Sequence, residues 1–355
     1  METIYLVEGE TLTGLADAVR AKTGVSGAMT PEVIGETFEA WEVEDKSAEI
    51  VDGSITNYAN NSLSSINNYA FIGCSNLTSV SFPACTSINN YAFSSCSNLT
   101  SVSFPVCRSI GAYAFSGCSN LPYVSFPACT SIGNAAFSSC SNLTSVSFPA
   151  CTSIGSFVFS YCSNLSSANF PVCKTMGTGA FGYCSKLTYI SFPVCTSVGQ
   201  YAFQHCRNLT SANFPACTSI NAYAFSNCSK LTSVNFPVCS FIGGFVFYRC
   251  SNLTSVNFPV CTTIGGSAFS GCSKLSSVSF PACRSIGVYA FSGCTNLISF
   301  TISGSSICSL AASNAFSSTP IASGTGYIYV PSSLIASYKT ATNWTYFSNQ
   351  ITSIV

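Results

Sequence analysis

Asp and Glu are absent from residues 53–355: all twelve carboxylate side chains lie between Glu2 and Asp52. The carboxylate pair of a glycosidase, the acid of a catalytic triad and the oxygen cage of a calcium site are therefore unavailable to most of the chain. Histidine is almost as scarce, with His205 standing alone. A general base needs a nucleophile and an orienting acid close by, and no acid is at hand. These shortages predict a non-enzymatic protein with no catalytic residue, no cofactor and no resident metal.

Long apolar runs are missing too. A membrane span needs roughly 18 or more consecutive apolar residues, and none occurs, so no membrane insertion is expected. The opening METIYLVEGETLTGL has neither the basic region nor the continuous apolar stretch of a secretion signal. Nine Lys or Arg and no acid give residues 53–355 a charge of +9, and the first 52 residues carry −9. Nucleic acid favours a clustered basic stripe, whereas these cations are scattered, so nucleic acid is not an expected partner.

What the chain has in plenty is repetition. A 22-residue unit, LTSVSFPACTSINNYAFSSCSN at residues 77–98, recurs without insertion to Asn296, making ten copies. Eleven cysteines stand 22 apart from Cys74 to Cys294 and ten more from Cys85 to Cys283, leaving Cys308 over. Self-similarity of this kind marks a solenoid, in which each repeat buries its apolar face only against its neighbours.

Numbered from its Leu, the unit carries Leu, Val, Phe, Cys, Ile, Ala, Phe and Cys at positions 1, 4, 6, 9, 12, 16, 17 and 20, with few exceptions. These are expected to face inward. Positions 3 to 6 alternate polar and apolar, as in Ser101, Val102, Ser103 and Phe104, which predicts one strand per coil in a parallel sheet. Proline at position 7 of every copy, Pro83 to Pro281, lacks the N–H needed to extend it. The later segment, Tyr113, Ala114 and Phe115 in one copy, predicts a tight helical or irregular return. Glycine at position 13 in eight of ten copies predicts a backbone conformation that only Gly adopts cheaply.

Twenty-two cysteines without a secretion signal point to reduced thiols. Equivalent cysteines in adjacent coils fall about 4.8 Å apart with parallel Cβ vectors, wider than a disulfide prefers. A column also fails to converge four ligands on one point. Buried free thiols are the expectation.

The pattern resembles the leucine-rich repeat, L-x-x-L-x-L with Asn or Cys at position 9, and within it the BspA-like variety, LTSVSFP followed by SIGxYAFSGCSN. The likeness covers Ile55 to about Phe316, and AFSGCSNL at residues 114–121 is specific to it. Departures are Cys in place of Asn at position 9, a slightly short unit, and Pro122 and Gly179 at sites usually filled otherwise. The resemblance implies an α/β solenoid: a right-handed leucine-rich-repeat coil with a parallel β-sheet, ten full repeats and caps, preceded by a small N-terminal helical hairpin. It also implies an adhesin or surface-recognition module.

Four regions are expected: an acidic helical attachment or oligomerisation segment (1–45), a linker with a degenerate capping repeat (46–76), the ten repeats (77–296) and a C-terminal capping region (297–355). In the first, Leu12, Leu15, Ala16 and Val19 share a helical face. Thr30 and Pro31 open a second helix bearing Ile34, Phe38 and Trp41. The wording LADAVRAKTGVSGAMTPEVIGETF at residues 15–38 resembles the start of structural tail proteins of phages and prophages of Gram-positive bacteria. That resemblance implies a virion protein assembled in the host cytoplasm, joined through residues 1–45 to other virion proteins or to itself, for instance as a trimer.

Candidate binding residues fall on two parts of the coil. The sheet-face positions 3 and 5 carry Ser or Asn almost throughout, interrupted by Tyr123 and Tyr189. Positions 14, 15, 18 and 19 vary most, giving Phe157, Tyr161, Tyr183, Gln204, His205, Phe245, Tyr248 and Arg249. Hydroxyls with occasional aromatics suit sugars, and variation on a fixed scaffold suits recognition. Simple solvation or loop drift would leave the same pattern. The function expected is recognition of a bacterial surface glycan or protein by a phage tail-associated receptor-binding protein. The alternative is an extracellular adhesin on a bacterial cell surface that binds host or neighbouring-cell proteins.

Overall fold

The computed structural model describes residues 55–354, so the expected N-terminal hairpin and most of the linker lie outside the described residues. The chain is a parallel β-solenoid of 22-residue coils with little helix. It divides into two compact units, one ending at Asn169 and the other beginning at Phe170.

Each coil contributes two strands, not the single one expected. A three-residue strand at positions 3–5, such as Ser101–Ser103, is followed after the proline turn by a two-residue strand at positions 11–12, such as Ser109–Ile110. Both pair in parallel with their counterparts one repeat away, for example Val80 with Val102 and Ile88 with Ile110. The second strand arises because Ser at 11 and Ile at 12 alternate outward and inward. The ladder then runs one residue further, where the N–H of Gly111 reaches the Ile88 carbonyl at 2.7 Å.

In the first unit the longer strands form two three-stranded sheets, which separate between Ser101–Ser103 and Tyr123–Ser125. The separation falls at Pro122. In the other coils of this unit position 2 donates its N–H to the coil before, as Thr100 does to the Thr78 carbonyl at 2.8 Å. Proline has none to give. In the second unit the longer strands form two four-stranded sheets, the last built from Ser277–Ser279, Ser299–Thr301, Tyr327–Val330 and Ile351–Ser353.

The return leg is a chain of turns and not a helix. Positions 15 and 19 hold positive φ in nearly every coil, with Tyr91 at 58° and Ser95 at 63° in one of them. That alternation swings every second N–H out of the coil. Tyr91, Phe93 and Ser95 donate to the carbonyls of Ala112, Ala114 and Ser116 in the following coil at 2.7–2.9 Å. The residues between, Ser94 and Cys96, close local turns onto Tyr91 and Phe93.

Glycine at position 13 serves close approach, which corrects the conformational reason expected for it. None of these glycines has a positive φ among those described, but a Cβ on Gly133 would stand 2.6 Å from the Ala112 nitrogen. One on Gly111 would meet the Asn89 carbonyl carbon at 2.6 Å.

The expected inward positions are buried throughout the regular coils, apart from a few half-buried residues at position 4. Phenylalanines of positions 6 and 17 make two parallel stacks that touch each other. In the first unit Phe82 lies 5.4 Å from Phe104, Phe93 lies 5.1 Å from Phe115, and Phe93 meets Phe104 edge-on at 5.9 Å. In the second unit Trp344 and Phe347 cover Phe316 at the end of the stack, and a six-residue helix, Ile335–Thr340, brings Tyr338 against Trp344.

All 22 cysteines are free thiols, as expected, and all but Cys74 are buried. They do more than fill space. The position-9 thiols donate to the backbone two residues on, as from Cys107 to the Ser109 carbonyl at 3.3 Å. Those at position 20 donate to the position-17 carbonyl of the coil before, as from Cys118 to Phe93 at 3.1 Å. Each column thus satisfies carbonyls at a corner of the coil.

Candidate functional site

Of the candidate residues in the first unit, Tyr123 is exposed on the strand Tyr123–Ser125, whereas Phe157 and Tyr161 are exposed on the return leg. They occupy separate legs of the coil and make no common site. The second unit separates Tyr189, exposed on Tyr189–Ser191, from the remaining candidates in the same way.

On the return leg of that unit the structure does bring residues together. Tyr183 and His205, both at position 19, stack at 4.7 Å with planes 13° apart. Gln204 is half-buried beside them in sequence. The His205 Nδ1 is buried without a hydrogen-bond partner. Burial, and secondarily the positive charge of Arg207, holds this imidazole below its ordinary pKa and favours its neutral form. Farther along, Phe245 meets Tyr248 edge-on at 5.7 Å, and the Arg249 guanidinium lies 5.1 Å from the Tyr248 ring centre. Among the described residues Arg249 has no carboxylate side chain to face, since residues 55–354 contain none.

A larger feature was not singled out from the sequence. Position 15 bears an aromatic in most coils, and these rings stack into ladders. Tyr69, Tyr91 and Tyr113 lie 5.1 and 4.8 Å apart in the first unit. In the second, Tyr201, Tyr223 and Phe245 lie 5.0 and 4.7 Å apart. All six have φ between 57° and 61°. Left-handed backbone costs a non-glycine residue roughly 1–2 kcal/mol, and ring stacking returns about 0.5–1.5 kcal/mol per pair. Recurrent Tyr five residues before a Cys was the available signal, but its meaning depended on the sign of φ.

The ladders alter what the aromatics can offer a ligand. A ring inside a stack has both faces covered and shows solvent its edge. Sugar stacking needs an open face, and that exists only where a ladder stops.

Among the described residues no cluster of three or more His, Cys, Asp or Glu side chains is placed to hold a metal ion. Nor is any described helix long and apolar enough to cross a membrane. Burial makes most of the thiols poor nucleophiles by pushing them up, Cys206 to about 12 and Cys239 to about 11, whereas Cys283 is held below the ordinary value by the hydrogen bond it accepts from the Cys308 thiol at 3.5 Å.

A family model for the BspA type leucine rich repeat region matches residues 54–150, 108–232 and 218–339. Among solved structures, a leucine-rich repeat protein from Bacteroides ovatus ATCC 8483 is similar at 22% identity, covering 93% of this chain and 99% of that one with a TM-score of 0.53. A leucine rich cell surface protein from Faecalibacterium prausnitzii A2-165 is 23% identical, with coverages of 83% and 91% and a TM-score of 0.44. The pneumococcal vaccine antigen PcpA is 17% identical, with coverages of 84% and 89% and a TM-score of 0.45. No curated protein matches significantly. The family match begins at residue 54, so it lends nothing to the tail-protein likeness of residues 15–38.

Proposed function

This chain belongs to the BspA-type leucine-rich repeat family, and from that premise we propose that it is a non-enzymatic adhesion protein whose repeats recognise a macromolecule on a cell surface. The observation that carries the reading is the return leg. There an otherwise uniform coil varies its side chains, holds them on left-handed backbone, and leaves Tyr161, Tyr183, Arg249 and Tyr289 exposed. A scaffold that fixes its backbone while changing its outward residues is built for binding.

Placement at a bacterial cell surface, with proteins or glycans of a host or neighbouring cell as partners, agrees with the adhesins that the family resemblance implies. A tail-associated role would use the same array with residues 1–45 as the attachment to virion proteins or to further copies. It rests on the wording of residues 15–38 alone, and neighbouring tail and lysis genes would be its mark. Nine basic and no acidic side chains in residues 55–354 favour a neutral or anionic partner in either setting.

Labelled full-length chain incubated with whole bacteria, immobilised host-matrix proteins and a glycan array tests the proposal. Saturable binding to one of these is expected, with a loss when Tyr161, Tyr183 and His205 are changed together to Ser. No saturable binding to any of them would refute adhesion. Binding undiminished in the triple variant would remove that patch from the site.

A further inference from the structure

We infer that Phe245, Ser267 and Tyr289 form a slot that takes one pyranose ring of a surface glycan. This deepens the adhesion reading and rests on it. In three consecutive coils the position-15 rung is Tyr201, Tyr223 and then Phe245, stacked at 5.0 and 4.7 Å. Ser267 takes the next rung and Tyr289 the one after. The ladder is therefore missing one ring.

Phe245 lies within 3° of parallel to Tyr223, which covers one of its faces, so its other face looks along the stack toward the Ser267 rung. Tyr289 has a φ of 56° against 58° for Phe245, and its side chain leaves the backbone in the same sense. It has no ring partner among the described residues and is 48% exposed. Two rungs of about 4.8 Å separate the walls by about 10 Å, which leaves room for a single ring.

The floor distinguishes the occupant. Ser267 is 8% exposed, and its N–H is satisfied by the Val288 carbonyl at 2.9 Å, but its hydroxyl makes no hydrogen bond to the protein. Among the described residues His205 Nδ1 is the one buried side-chain polar atom without a partner, so the Ser267 hydroxyl still reaches solvent, and covering it with a group that offers no hydrogen bond would be costly. A phenyl ring from a partner protein would fill the gap and leave that hydroxyl unpaired. A pyranose offers C–H faces to both walls and a rim of hydroxyls to the floor. Arg249, held over Tyr248 beside Phe245, adds a charged donor at the edge. In the first unit Tyr113 and Phe157 flank Ala135 in the same register, with walls but no hydroxyl. That gap is expected to hold sugar far more weakly.

Saturation-transfer NMR on the full-length chain tests the slot. The probes are methyl β-D-glucopyranoside, methyl β-D-galactopyranoside and methyl N-acetyl-β-D-glucosaminide, with p-cresol standing for an aromatic side chain. At least one sugar is expected to receive transfer, Ser267→Tyr to abolish it by completing the ladder, and Ser267→Ala to weaken binding about fivefold or more. Tyrosine already occupies this position in six other coils, so Ser267→Tyr is expected to fold; if it does not, Tyr289→Ala removes an exposed wall and must give the same loss. Transfer to p-cresol alone, to no probe, or to a sugar equally in wild type and Ser267→Tyr overturns the assignment. Binding to whole bacteria, measured in parallel, separates the two claims. Wild-type chain that binds cells without any sugar transfer refutes the slot and leaves adhesion standing, whereas chain that binds sugar but no cell, matrix protein or glycan array refutes adhesion.

Discussion

Tyr223 and Phe245 stack 4.7 Å apart with their planes within 3°, although both residues sit on left-handed backbone at φ 61° and 58°. The stack and the backbone are opposed in energy. Position 15 accordingly reverses the usual order of small residues. Alanine at 223 loses the ring and keeps the strain, whereas glycine loses the ring and relieves the strain. Thermal melts are expected to rank wild type above Tyr223→Gly and Tyr223→Gly above Tyr223→Ala, with about 1 kcal/mol between the two variants. Alanine proving the more stable would show that the left-handed backbone is not retained in solution.

Glycine at position 13 calls for a different test, since the obstacle there is the neighbouring coil and not φ. A Cβ at Gly133 would lie 2.6 Å from the Ala112 nitrogen, while one at Gly266, one position further along its own coil, meets nothing nearer than 3.4 Å. Gly133→Ala is expected to destabilise by about 1–3 kcal/mol, as overpacking against backbone does. Gly266→Ala should be close to neutral. Equal midpoints for the two variants in urea would contradict the close approach of the coils.

The contrast between these positions shows what could be read from the chain and what could not. The inward set was legible because burial imposes one residue type on each core position, and ten copies average away the exceptions. The thiols were legible because a column of equivalent cysteines has no geometry for pairing. The second strand was hidden: two residues are too few for a period to show. The left-handed positions were hidden as well, since Tyr, His and Arg are poor markers of positive φ and glycine pointed to position 13 instead. The ladders follow from register between coils, and no single repeat contains that information.

Phe148 stands in the position-6 stack of the first unit, 5.5 Å from Phe126 and in tilted contact with Phe159 at 6.0 Å. Phe148→Ala removes a ring held on several sides and should cost about 3–5 kcal/mol. Because each coil touches only its neighbours, amide hydrogen exchange is expected to quicken most in residues 121–169 and least in residues 55–98. A uniform loss of protection across the first unit would mean that it opens as one body.

Alkaline pH should unfold the chain through its thiols. Burial raises the pKa of Cys74, Cys107, Cys140, Cys206 and Cys294 to about 12 each, against about 8.5 for a free thiol in an unfolded chain. The folded state binds these protons more tightly, so stability is undiminished below the unfolded value and falls as pH rises from there toward the folded value. With so many thiols acting together, the loss is expected to be steep between about pH 9 and 12. Urea midpoints measured at intervals across that range check the direction. A thiol-specific disulfide reagent at pH 8 should modify few cysteines in the native chain and all 22 once it is denatured. Replacing the position-20 cysteines of three adjacent coils by Ala should shift the alkaline transition upward even as it lowers stability at neutral pH, because the titrating groups and their carbonyl contacts leave together. A transition that stays put in that variant would assign alkaline unfolding to the buried Tyr58 and Tyr338, which burial also raises, instead.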